Sequence, residues 1–234
     1  MANQKVLNSA RPRAVFFDLA LTLVAEISGR LYAQERRRRK EISRTHSLRI
    51  AWWLALYSVG LINAQKVATR ALADYEGTSE QKMRKDCLEM VKNSLEPRIY
   101  PEARERVKAH LDAGDHVAIL SAATPYIAQP IAHSLNIDSV LCTELEVDQT
   151  GDLTGRAHQP LCFGEGKVQK AKHFIEEHEL SLAESYFYTD SITDRPLLEL
   201  VNHPRPTNPD RRLRSLARRR GWPIEDWSLG ASVD

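Results

Sequence analysis

The run Ala14-Val15-Phe16-Phe17 ends abruptly at Asp18 and is followed by Leu19-Ala20-Leu21-Thr22. Four apolar residues between polar boundaries are too short for a helix and show no alternation, so the segment Arg13 to Asp18 predicts a strand buried on both faces. Such a strand requires partners on both edges and helices above and below it. The chain has 234 residues with 42% hydrophobic content, enough for one sizeable domain plus a small insertion.

Similar short runs recur within His116 to Ser121, Ser139 to Cys142 and Tyr186 to Thr189. Between them lie helical patterns over Pro101 to Ala113, closed by Gly114, and over Pro125 to Leu135. Two more cover Lys167 to His178 and Asp210 to Arg220, the latter closed by Gly221. Strands alternating with helices predict an α/β fold, a doubly wound parallel sheet covered on both faces. Leu145 to Arg156 alternates around Gln149-Thr150-Gly151-Asp152 and predicts a hairpin beside that sheet.

Residues from about Glu26 to Glu96 break this rhythm and read as helices throughout. The expected organisation is a core of residues 1–25 and 100–234 with an all-helical insertion over 26–99. The insertion carries the basic run Arg36-Arg37-Arg38-Arg39-Lys40 and then an apolar segment with Trp52, Trp53 and Tyr57. That segment falls short of the ~20 apolar residues a membrane-spanning helix needs. Three widely spaced cysteines, Cys87, Cys142 and Cys162, fit a reducing compartment. Met1 to Pro12 lacks the apolar core of a signal peptide, so a cytoplasmic protein is expected. A net charge of +2 gives no global reason to expect nucleic acid, and the arginines of the last helix read as its solvated face.

In an open α/β sheet, ligands bind beyond the carboxyl ends of the strands. Asp18 and Ser121 stand at two such ends and Asp190 at a third, while Lys167 opens a helix after Gly164-Glu165-Gly166. Two carboxylates, a hydroxyl and an ammonium can converge there on an anionic ligand and a hard divalent cation. Gly164-Glu-Gly-Lys167 is not a nucleotide-binding loop, because Leu161 replaces the required first glycine and Val168 follows the lysine. The histidines, His110, His116 and His133 among them, show no ligand spacing.

With these motifs in this order the chain resembles a haloacid dehalogenase superfamily hydrolase of the phosphoserine-phosphatase-like subfamily IB. Asp18 and Thr22 match the first motif of that family, Ser121 the second, Lys167 the third, and Asp190 and Asp194 the fourth. The resemblance implies a Rossmann-like core with a helical cap and a Mg²⁺-dependent phosphomonoester phosphatase. In it Asp18 is the nucleophile that forms an aspartyl-phosphate. Ser121, Ala122 and Lys167 hold the phosphate, and Mg²⁺ is bound by Asp18, Asp190 and the backbone carbonyl of Ala20. Thr22 supports the turn, and Asp194 binds a metal-bound water or fixes Lys167.

Ala20 departs from the pattern, since relatives carry there the aspartate that serves as general acid and base. Alanine keeps the carbonyl but has no proton to give, so binding is expected to survive while turnover falls. An engineered substitution that traps substrate is the favoured reading, and a naturally inactive or binding-only relative the alternative. Arg36, Arg37, Arg38 and Arg39 beside Trp52 and Trp53 suit contact with a lipid surface at the inner face of the membrane and a lysophosphatidic acid-like substrate. A small polar phosphate such as phosphoserine is the other candidate.

Overall fold

The computed structural model describes residues 12–38, 70 and 72–230. Five parallel strands form the sheet: β1 (Ala14–Phe17), β2 (His116–Leu120), β3 (Ser139–Leu141), β6 (Tyr186–Thr189) and β7 (His203–Pro206). Their order is β3-β2-β1-β6-β7, so β1 is central. A separate antiparallel pair is formed by β4 (Leu145–Val147) and β5 (Leu153–Ala157). The helices are α1 (Ser28–Arg38), α2 (Glu80–Met90), α3 (Pro101–Asp112), α4 (Pro125–Ser134), α5 (Glu165–Glu177), α6 (Arg195–Leu198) and α7 (Arg211–Arg220).

Side-chain alternation along β1 divides the core. Val15 and Phe17 point into one apolar cluster, Ala14 and Phe16 into the other. The first cluster takes Ala103 and Val107 from α3, Ile127 and Ile131 from α4, and also Tyr32, Met83 and Cys87 from α1 and α2. The second takes Val168 and Phe174 from α5, Leu197 and Leu198 from α6, and Leu213 and Leu216 from α7. The sheet is therefore doubly wound, as the buried, unalternating strands require. Pro101 and Pro125 each occupy the first turn of their helix, where the missing N–H costs nothing.

Strand β7 was not expected from the sequence. Its residues, His203-Pro204-Arg205-Pro206, contain two prolines, which cannot donate to a ladder. The strand pairs only with β6 at the sheet's edge, where proline is tolerated. The hairpin forms around a turn in which Asp148 Oδ1 accepts from the N–H groups of Thr150 and Asp152. Its β5 strand also holds the loop before α2: Gly77 N–H donates to Leu153 O and Leu153 N–H to Thr78 O, both at 2.9 Å. Among the described residues, no helix is long and apolar enough to cross a membrane.

Candidate active site

Register sets the site. Phe17 is level with Ile119 of β2 and Tyr188 of β6, so the chain emerges at Asp18, Ser121 and Asp190 on one edge of the sheet. The Asp18 N–H still donates to Tyr188 O at 2.9 Å, which ties the first residue after β1 to the neighbouring strand. The chain then turns back at once: Leu21 adopts φ +58° and Leu23 and Val24 N–H both donate to Leu19 O. Ala20 sits in this turn, bridged to Val24. Thr22 is fully buried and its hydroxyl has no hydrogen-bond partner, so its contribution to the turn comes from packing.

Lys167 is brought across from the other side. Gly166 allows this, because a Cβ there would lie 1.9 Å from the Leu161 carbonyl oxygen. The loop 161–166 is thus closed so tightly that only glycine fits before the lysine. The Lys167 ammonium is 3% exposed and donates to Asp18 Oδ1 and Asp194 Oδ2, both at 2.7 Å. Asp194 Oδ2 also accepts from Thr189 Oγ1 at 2.6 Å. Of the two roles considered for Asp194, the one visible here is the fixing of Lys167.

The electrostatics follow from this geometry. Burial disfavours the Lys167 cation, but Asp18 and Asp194 outweigh it and hold the group charged above the ordinary lysine range. Burial raises the Asp18 carboxyl, with the Asp194 charge adding to it, against the pull of Lys167. Asp190, which Lys167 does not pair with, is pushed up to about 8 by burial and by the nearby charge of Asp18. The Lys167 ammonium offsets only one of the three negative charges that Asp18, Asp190 and Asp194 carry when all are ionised. A divalent cation would supply the missing charge. Among the described residues no cluster of three or more His, Cys, Asp or Glu is arranged to hold a metal. Asp18 and Asp190 offer carboxylate oxygens, hard ligands of the sort Mg²⁺ accepts while keeping water or phosphate oxygens in its shell.

A cavity of about 470 Å³ opens over the cluster. Asp18, Ala20, Ser121, Ala122, Lys167 and Asp194 line it, with Ala123 and Thr124 leading into the N-terminus of α4. Asp190 is not among the lining residues, although its neighbour Ser191 is. Arg36, Arg37 and Arg38 are on α1 and also do not line it, although the Arg36 guanidinium sits 5.4 Å over the Tyr75 ring, which does. Arg39, Trp52 and Trp53 lie outside the described residues.

Several residues that build the site were not singled out in the sequence. Thr189 had no signal beyond its place before Asp190. Asp210 caps α7, as the Asp-then-helix pattern indicates. It also accepts from Ile192 N–H at 2.8 Å, and its own N–H donates to Asp190 O, so it fixes the loop between the two aspartates. The cavity wall of Tyr32, Leu72, Tyr75, Met83 and Cys87 comes from the insertion. His110 lies outside the cavity lining and has a structural role. Its ring bonds Asp115 Oδ2 at 2.8 Å and Tyr188 OH at 2.9 Å behind β6.

At the carboxyl edge of this doubly wound parallel sheet, the buried Lys167 thus joins the strand-end Asp18 to Asp194 of the loop after β6. The chain belongs to the haloacid dehalogenase-like hydrolase family, whose model matches residues 15–199. It is 31% identical over 226 residues to the inhibition of morphological differentiation protein of Streptomyces azureus, covering 95% of this chain and 81% of that one. It is 34% identical over 222 residues to a phosphoserine phosphatase of Mycobacterium tuberculosis, covering 92% and 71%. A Bordetella pertussis protein of unknown function has a crystal structure that superposes with a TM-score of 0.83 at 30% identity, over 93% of this chain and 99% of that one.

Proposed function

We propose that the chain is a Mg²⁺-dependent phosphomonoester phosphatase that works through an aspartyl-phosphate on Asp18, with turnover limited by Ala20. The observation that carries this reading is the Asp18–Lys167–Asp194 cluster, buried at the floor of a cavity at the carboxyl edge of the sheet. An Asp18 carboxylate oxygen attacks phosphorus, and the P–O bond to the leaving alcohol breaks with its electron pair staying on that oxygen. Water then attacks the acyl phosphate, releasing inorganic phosphate and restoring the carboxylate. Lys167, Ser121 and the backbone at Ala122 bind the phosphoryl oxygens, and Lys167 offsets charge as it spreads over them. A bound Mg²⁺, held by Asp18, Asp190 and the Ala20 carbonyl, would reduce repulsion between nucleophile and substrate. The departing alkoxide takes its proton from water, since Ala20 has none to offer.

In this reading residues 26–99 form a cap over a core of 1–25 and 100–234, and the cap decides the leaving group. A lysophosphatidic acid-like lipid phosphate, met at the inner membrane face through Arg36–Arg39 and Trp52–Trp53, is the substrate candidate that the basic run suggests. Phosphoserine is the polar counterpart suggested by the Mycobacterium relative. Ala20 itself favours a second reading, a protein that binds a phosphorylated ligand without hydrolysing it.

The test is restoration. Ala20→Asp should raise Mg²⁺-dependent hydrolysis of an aryl phosphate by ~10²–10⁴-fold, the usual worth of general acid–base help. Adding Asp18→Asn should abolish that activity. An Ala20→Asp protein as slow as the parent on a broad phosphate panel would sink the enzyme reading and leave the binder.

A further inference from the structure

The cavity over Asp18 has two chemically different halves. Its floor carries Asp18, Lys167 and Asp194, which are the charged side chains among its described lining residues and already pair with one another. Its other half is made by Tyr32, Leu72, Tyr75, Met83, Cys87 and Leu145. The Tyr32 and Tyr75 rings stand 6.0 Å apart with a 47° tilt, and the Arg36 guanidinium over Tyr75 braces that ring. Burial pushes the Tyr32 hydroxyl above its ordinary range and the Cys87 thiol up to about 12, so both stay neutral at physiological pH.

Among the described residues of this half none is charged, so an ammonium or carboxylate entering it loses water and finds at most the two tyrosine hydroxyls, whereas an apolar group gains contact with two rings, a thioether and a thiol. Resting on the phosphatase reading above, we propose that Tyr32, Tyr75, Met83 and Cys87 form the leaving-group subsite. It takes phosphate esters of uncharged aryl or alkyl alcohols and rejects those of amino acids and amino alcohols. About 470 Å³ is room for a ring system or a folded alkyl chain beyond the phosphate. The chain thus differs in leaving group from a phosphoserine phosphatase while sharing its phosphate floor.

Non-hydrolysable phosphonates test this directly on the full chain with Mg²⁺ present, by calorimetry. Methylphosphonate reads the floor alone. Naphthylmethylphosphonate and octylphosphonate should bind roughly tenfold or more tightly than methylphosphonate, and the phosphonate analogue of phosphoserine more weakly than it. Tyr75→Ala should remove most of the aryl and alkyl gain and leave methylphosphonate binding unchanged, which also shows that the variant is folded. If Tyr75→Ala does not fold, Met83→Gln, similar in shape but polar, should shrink the same gain. Methylphosphonate binding with no apolar preference, or a preference for the amino-acid phosphonate, overturns the subsite and spares the phosphatase reading. Failure of every phosphonate to bind overturns both.

Discussion

Thr189 Oγ1 donates to Asp194 Oδ2 at 2.6 Å, the same oxygen that receives Lys167 Nζ at 2.7 Å. A hydroxyl on the last residue of β6 thus holds the carboxylate that holds the lysine, so Lys167 is aimed by the sheet as well as by its own helix. Thr189→Val keeps the shape and removes the donor. A hydrogen bond to a charged acceptor is worth about 1.5–3 kcal/mol, and urea unfolding should show a loss of that order. A change within about 0.5 kcal/mol, as at an ordinary surface site, would mean that Asp194 is held by Lys167 alone.

The cation is expected at Asp190. Calorimetric titration with Mg²⁺ and a phosphate mimic should show binding that Asp190→Ala destroys, since Asp18 and the Ala20 carbonyl alone leave too few donors. Equal binding by the two proteins would place the metal elsewhere.

His110 makes stability depend on pH. Burial lowers its pKa below the ordinary 6.5, partly opposed by its bond to Asp115. The neutral ring therefore donates from Nδ1 to Asp115, which can only accept, and takes the Tyr188 hydroxyl proton at Nε2. The unfolded chain binds the extra proton first, so stability is full above pH 6.5 and falls as pH drops through and below that value. His203, lowered by burial and by Arg205, acts in the same direction. Asp190, pushed up to about 8, acts in the opposite direction, so the test is a comparison of variants: from pH 7.5 to 5.5 the urea midpoint of the parent chain should lose ground relative to that of His110→Gln. An unchanged slope in that variant would assign the dependence to other groups.

Lipid contact is tested through the basic run. Anionic liposomes should bind the chain at low salt and release it as screening shortens to ~8–10 Å at physiological ionic strength. Replacing Arg37, Arg38 and Arg39 with glutamine should weaken binding roughly a hundredfold, at about 1 kcal/mol per basic residue near the surface. Arg36 is kept because it braces Tyr75. Absence of liposome binding at low salt would return this run to a solvated helix face.

That the central strands are parallel, and that Asp18, Ser121 and Asp190 stand at their ends, was legible in the sequence for one reason. A strand buried on both faces leaves an uninterrupted apolar run, and whatever ends the run abruptly lies at the sheet's edge. Local rules failed at β7, where two prolines mask a strand that only an edge position permits. They failed also at Thr189 and Asp210, whose roles consist of contacts with Asp194 and Ile192 that no spacing encodes. The cavity wall was invisible for the same reason. Tyr32, Tyr75, Met83 and Cys87 read locally as the apolar side of helices and turns, and they share a cavity with Asp18, Lys167 and Asp194 only because the insertion packs into the apolar cluster beneath β1. Residue type and period along the chain determined which groups could do chemistry. Which of them meet, and what wall stands beside them, was decided by tertiary packing, because burial and charge pairing depend on neighbours distant in sequence.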